Sequence, residues 1–189
     1  DMLFHVKPAK EQPMLALRPA DAEDTPAIAA LHAASWRASY RGILPDDYLD
    51  QRAADERLAL WRGRFEAPSP PWVRLACWDG EPVGFVCLQP EVAPELGVYL
   101  DNLHVLPGQQ GRGIGRALMA AAAAEASRIA PGRPLYLWVY ERNADACAVY
   151  GKLGGEVMER REVDTPAGTR AAALRYSWAD PAHLIAGKA

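Results

Sequence analysis

Residues 103–118, LHVLPGQQGRGIGRAL, constrain this chain more than any other stretch. They read as a strand end, a glycine-rich basic turn and a helix start in unbroken succession. Gly111, Gly113 and Gly115 lack a Cβ, so the backbone can take positive φ values and approach a ligand closely. The first N–H groups of the following helix have no intrahelical partner, and with the positive end of the helix dipole they favour an anion. Arg112 and Arg116 add forked donors suited to phosphate oxygens. From Ile114 onward the chain is rich in Ala and Leu, and Ile114, Leu118, Ala121 and Ile129 predict one buried helical face. An ordinary strand-to-helix turn that merely needs glycine is the competing reading.

The residues after the last glycine disfavour two phosphate ligands. A Walker A loop requires Lys-Ser/Thr there, and this loop continues Arg116-Ala117. A dinucleotide fingerprint requires Gly-x-Gly-x-x-Gly opening the first helix of a βαβ unit, and Gly113-Ile114-Gly115 is succeeded by Arg, Ala and Leu.

The spacing Val105-x-Pro107-x-x-Gln110-Gly111-x-Gly113-x-Gly115-x-x-Leu118 resembles the acetyl-CoA signature of the GNAT (GCN5-related N-acetyltransferase) superfamily. In that family a second motif, some thirty residues on, carries Asn and then Tyr two helical turns later. Asn143 and Tyr150 stand so here, after the apolar run Leu135–Val139. Family members usually carry Phe before the Tyr and Phe after the glycine. This chain has Val149 and Gly155 instead, which predicts looser packing around Tyr150.

The resemblance implies a GNAT-like fold over residues 14–178, between an N-terminal tail (1–13) and a C-terminal tail (179–189). The residue pattern agrees with a single mixed α/β (α+β) domain. A first strand covers Met14–Arg18, and a helix runs from a Thr25 cap and Pro26 to about Ser39. A turn over Arg41–Asp50 leads to a helix from Ala53 to Phe65. Trp72–Trp78 and Pro82–Leu88 form a hairpin around Asp79-Gly80. Next come a strand over Gly97–Val105, the helix to Ile129, a strand at Leu135–Tyr140, a helix at Asn143–Lys152 and strands near Glu156–Val163 and Arg170–Trp178. The expected sheet is mixed, mostly antiparallel, with six to seven strands.

With 189 residues, half of them apolar, the chain is long enough for one domain with a substantial core and not comfortably for two. The formal charge of −3 supplies no basic field for nucleic acid. No run approaches the roughly 18 apolar residues that span a bilayer, and the start shows no secretory leader pattern. The expected setting is therefore cytoplasmic, without a membrane partner. Cys77, Cys87 and Cys147 are odd in number and lack metal-ligand spacing, so they read as buried thiols with no disulfide and no metal. A two-residue hairpin turn would set Cys77 opposite Pro82 and Cys87 opposite Trp72. Apolar residues in the late strands leave a homodimer open.

By resemblance, the activity is transfer of an acetyl group from acetyl-CoA to a primary amine of a small molecule or protein. Gln110, Gly111, Arg112, Gly113, Ile114, Gly115 and Arg116 would hold the diphosphate, and Asn143 the CoA arm. Backbone at a bulge over Leu103, His104 and Val105 would face the thioester. Tyr150 would protonate the departing thiolate, since a phenol of pKa near 10 stays protonated at neutral pH. Tyr99, Asp101, Asn102, His104 and Glu95 lie on or beside that strand, and Asp101 is favoured as base, directly or through water; a structural carboxylate is the alternative. Strict alternation places Tyr99, Asp101 and Leu103 on one face and Asn102 and His104 on the other. Trp36, Tyr40 and Tyr99 are the acceptor-pocket candidates, although core packing explains the stripe His32, Trp36, Tyr40 more simply. A longer acyl-CoA donor, or a module that holds CoA without turnover, are the competing functions.

Overall fold

The computed structural model describes residues 14–185. The expected N-terminal tail lies outside them. A seven-stranded sheet carries helices on both faces, with strand order β1-β2-β3-β4-β5-β7-β6. In chain order the elements are β1 (Leu15–Pro19), α1 (Thr25–Ser39), α2 (Ala53–Glu66), β2 (Trp72–Trp78), β3 (Glu81–Gln89), β4 (Val98–Val105), α3 (Ile114–Ile129), β5 (Leu135–Tyr140), α4 (Ala144–Lys152), β6 (Glu156–Asp164) and β7 (Arg170–Trp178). Every neighbouring pair is antiparallel except β4 and β5.

Local chemistry explains most of these boundaries. Asp79 and Gly80 both take positive φ, the backbone of a two-residue turn matched to strand twist, and β2 and β3 leave it as a hairpin. Cys77 faces Pro82 as expected. Ala76 already faces Gly84, however, so Val83 is an extra residue and Cys87 faces Val73, not Trp72. All three cysteines are free; Cys77 and Cys87 are buried, whereas Cys147 is only half-buried. Thr25 is not the cap of α1: Asp21 caps a 3-10 turn over Ala22–Asp24 that runs directly into the helix, and Thr25 is its first residue. A π-helical turn over Tyr48–Arg52 leads into α2.

The core has two sides. On one, α3 buries Ile114, Leu118, Met119, Ala122, Ala123 and Ala126 against β3, β4 and β5. Ala121 is half-buried and Ile129 exposed, so the buried face is rotated from the expected one. Full burial of a side chain such as Leu118 or Met119 contributes about 1.5–3 kcal/mol. On the other side, α1 and α2 cover Val73, Leu75, Phe85 and Cys87 with Ile28, Leu31 and Trp61. The chain does not leave the core at Trp178: a 3-10 turn over Pro181–Leu184 packs against α3 and buries Leu184. No helix among the described residues is long and apolar enough to cross a membrane.

The parallel pair β4–β5 is joined only at one end. Gly97, at φ +121, lets the chain pass the Pro134 carbonyl, which a Cβ there would meet at 2.1 Å. Val98 N then donates to Pro134 O, and Arg133 Nη2 donates to the carbonyls of Pro94 and Glu95. Pairing extends through Val98–Leu135 and Tyr99–Tyr136 and stops. Beyond Tyr99, β4 stays with β3 while β5 stays with β7, and the sheet opens into a V.

Candidate active site

The V is opened by one inserted residue. Cys87 faces Asn102 and Leu88 faces Leu100, which leaves Asp101 unpaired as a bulge. The expected bulge at Leu103–Val105 is therefore displaced towards Asp101. The insertion also reverses the side-chain alternation: Val98 and Leu100, then Leu103 and Val105, face the α3 side. Asn102 and His104 lie towards α1 and α2 instead, where Arg64 donates to Asn102 and His104 stacks near Phe85. The grouping of Tyr99, Asp101 and Leu103 on one face is thereby corrected.

Past the bulge, Leu106 N donates to Val83 O, which sets the phase of the β3–β4 ladder. By alternation His104 turns its amide to β3, while Leu103 and Val105 turn theirs into the gap that β5 has left.

A cleft of about 750 Å³ fills this gap. Leu100, Asp101, Leu103, His104 and Val105 form one wall, Leu137, Trp138 and Val139 the other, and Asn143 and Tyr150 close it from the α4 side. At its far end lie Gln110, Gly111, Gly113, Ile114, Gly115 and Arg116. Gly113 is the N-cap of α3 at φ +79, with no side-chain cap, so the helix presents its first amides unmasked. A Cβ at Gly111 or Gly113 would meet nothing within 4 Å; glycine is required there by the left-handed backbone and not by crowding. Arg112 is not in the cleft, since its guanidinium lies 5.0 Å from the Trp78 ring centroid.

Asn143 is the cap of α4, its Oδ1 accepting from Ala146 N, so it precedes the helix instead of sharing its face with Tyr150. Tyr150 is packed between Tyr176 and Trp178, with centroids 5.8 and 6.0 Å away. The looser packing expected from Gly155 is not found: Trp178 occupies that space, donating from Nε1 to Leu153 O, and lies so close that a Cβ on Gly155 would meet its ring at 2.7 Å. Burial, assisted by Cys147, pushes the Tyr150 phenol up to about 12.

A second cavity of about 350 Å³ meets the first from the α1–α2 side. Tyr40, Asp101, His104, Trp138 and Val139 line both, and Trp36 and Tyr99 line the second alone. Asp101 Oδ2 lies 2.7 Å from Arg64 Nη2. His104 Nδ1 shares a hydrogen bond of 2.8 Å with Ser35 Oγ, and burial, reinforced by Arg57, lowers its pKa to about 4. His32, centred 4.6 Å from His104, is held well below its usual range by burial first and His104 next; its Nδ1 accepts from Trp61 Nε1. Both rings are therefore neutral at pH 7. Burial raises the phenols of Tyr40 and Tyr99, so both remain protonated donors.

The sequence reading did not find Arg57, Arg64 and Arg161, which line the second cavity. Arg57, Leu60 and Arg64 stand at i, i+3 and i+7, so a shared face of α2 was legible. Arg161 reaches the cavity from β6, which no local pattern indicates. Among the described residues, no group of three or more His, Cys, Asp or Glu side chains is arranged to hold a metal ion.

Comparison with known proteins gives a consistent result. The model of the acetyltransferase (GNAT) family matches residues 27–155. A Mycobacterium tuberculosis protein named Probable N-acetyltransferase Rv2775 is 29% identical over 143 residues, covering 72% of this chain and 76% of its own. Peptidyl-lysine N-acetyltransferase YjaB of Salmonella typhimurium is 37% identical over 100 residues, 53% of this chain and 59% of its own. Among solved structures, the PaiA N-acetyltransferase of Thermoplasma acidophilum in complex with coenzyme A superposes with a TM-score of 0.69 at 18% identity, covering 87% of this chain and 99% of that one. The chain belongs to the acetyltransferase (GNAT) family.

Proposed function

We propose that this protein moves an acetyl group from acetyl-CoA to a primary amine by direct attack, with both substrates bound at once. The observation that carries this reading is the meeting of two cavities at Asp101 and His104, one running back to an uncapped helix N-terminus. One cavity suits a long phosphorylated donor, and the other suits an acceptor arriving from the opposite side.

The donor site fits its ligand. The amides opening α3, with Gln110 and Arg116 beside them, offer a cradle for a diphosphate. Asn143 has its amide N–H groups left over from capping and lines the same cleft, so it could donate to the pantetheine arm of a donor bound there. Acetyl-CoA supplies a thioester-activated acetyl group. In the transfer the amine nitrogen bonds to the acetyl carbon, the carbon–sulfur bond breaks, the amine loses a proton and the thiolate gains one.

Each proton and charge has a candidate group. Asp101, at the partition between the cavities, takes the amine proton, directly or through water. The inward amides of Leu103 and Val105 stabilise negative charge on the carbonyl oxygen, and being fixed by the sheet they need no reorganisation. Tyr150 delivers a proton to sulfur; its raised pKa keeps that proton in place throughout the working range.

The test is thiol release from acetyl-CoA that depends on added amine. Intersecting double-reciprocal plots support direct attack, whereas parallel lines indicate a covalent acetyl-enzyme and overturn it. Gly113→Val forces a β-branched residue into a left-handed backbone and should weaken acetyl-CoA binding about tenfold or more; unchanged affinity would show that the donor binds elsewhere.

A further inference from the structure

The second cavity is lined by three arginines and a single carboxylate. Arg64 is engaged by the Asp101 carboxylate as an ion pair, by Asn102 Oδ1 through a hydrogen bond of 3.0 Å and by the Trp61 ring. Arg57 and Arg161 have no acidic partner among the described residues. Each instead lies over an indole that itself lines the cavity, Arg57 at 4.3 Å from the Trp36 centroid and Arg161 at 3.9 Å from that of Trp138. Arg57 Nε is buried without any hydrogen-bond partner.

A guanidinium held in a partly dry wall without a counter-ion costs stability, and an incoming anion removes that cost. Arg57 is such a group, whereas Arg161 is exposed on β6 and keeps much of its water; held over flat aromatic supports, both are pre-oriented donors that lose little freedom on binding. Between them and the partition at Asp101 and His104 the walls are largely aromatic, which suits an apolar body. The volume, about 350 Å³, is that of a small-molecule pocket. A polyamine or aminoglycoside would bring further positive charge into a chamber that already holds two arginines without an acidic ion-pair partner.

Resting on the acetyl-transfer reading above, we infer that the acceptor is a small amine carrying a carboxylate on an apolar body, an apolar amino acid in chemical class. Arg57 and Arg161 take the carboxylate, and the amine is presented to the partition shared with the donor cleft. The product is then an N-acetylated amino acid, in which the cationic ammonium has become a neutral amide.

The experiment follows thiol release from acetyl-CoA with the full chain. Acceptors are phenylalanine and leucine, their decarboxylated counterparts phenethylamine and isopentylamine, spermidine, and a lysine-containing peptide. A charge-assisted contact predicts that kcat/KM for each amino acid exceeds that of its decarboxylated partner by about tenfold or more. Arg57→Gln and Arg161→Gln should each reduce that ratio towards one through KM, with acetyl-CoA affinity unchanged. A ratio of one in the unmodified protein, or a preference for spermidine or the peptide, overturns the inference and leaves the transfer reading standing. Acetyl-CoA binding without thiol release for any amine overturns the transfer reading, and the inference with it.

Discussion

Arg64 reaches from α2 to within 2.7 Å of Asp101, the residue inserted where β4 parts from β5. Both side chains are mostly shielded, at 18% and 16% exposure, so the pair has a structural value separate from any chemistry. Asp101→Asn removes the charge, leaves Arg64 unbalanced and should destabilise the fold by about 1–3 kcal/mol, below the full cost of breaking a deeply buried pair. Arg64→Met combined with Asp101→Asn relieves that penalty. If Asp101 accepts the amine proton, the double variant regains thermal stability while turnover stays about 10²-fold down. Recovery of turnover together with stability would assign Asp101 a purely structural role.

Tyr150→Phe keeps the ring between Tyr176 and Trp178 and deletes only the hydroxyl. An interaction made only as thiolate forms should lower kcat about 10²-fold while the acetyl-CoA Kd stays within a few-fold. With the phenol pKa pushed up to about 12, no loss of activity from Tyr150 ionisation is expected below pH 10. A kcat equal to that of the parent would remove Tyr150 from the proton path.

Much of the fold is legible in local chemistry, and the site less so. The Asp79-Gly80 turn, the glycine junction and the Asn143 cap each act through a few neighbouring residues, and each leaves a signature in sequence. The Asp101 bulge does not, because strict alternation has no means of marking an inserted residue whose only trace is a register change against β3. Arg112 shows the limit from the other side: its forked donors suit phosphate, yet the Trp78 ring of β2 draws it away. Arg57 and Arg161 come from α2 and β6, brought together only by the tertiary arrangement.

His104 ties stability to pH. Its pKa is lowered to about 4 in the fold, against about 6.5 for an unperturbed histidine. Between these values the unfolded chain binds a proton that the folded chain refuses. The stability that neutral His104 confers is thus whole above about pH 6.5 and is lost as pH falls towards 4, with His32 acting in the same direction. Because His104 lines two cavities, the loss is on the order of 1–3 kcal/mol. His104→Gln, which cannot titrate, should flatten the fall of Tm between pH 7 and 4.5; an unchanged slope would show that the ring is not held neutral.

Gly155 tests how α4 is held. Its missing side chain admits the Trp178 ring, which packs on Tyr150 and anchors to Leu153 O. Gly155→Ala places a Cβ 2.7 Å from that ring and 3.0 Å from Tyr150 O, closer than either can tolerate without moving. Trp178 is almost completely buried and has little room to retreat, so the displaced element should be α4. Overpacking of this kind typically costs about 1–3 kcal/mol. It should also reduce kcat, because a shift of about 1 Å at a proton donor is enough to lower turnover strongly. Replacing Trp178 by Phe in the Gly155→Ala background removes the larger ring and should return part of both losses. If stability returns and kcat does not, the contact supports the fold without positioning Tyr150.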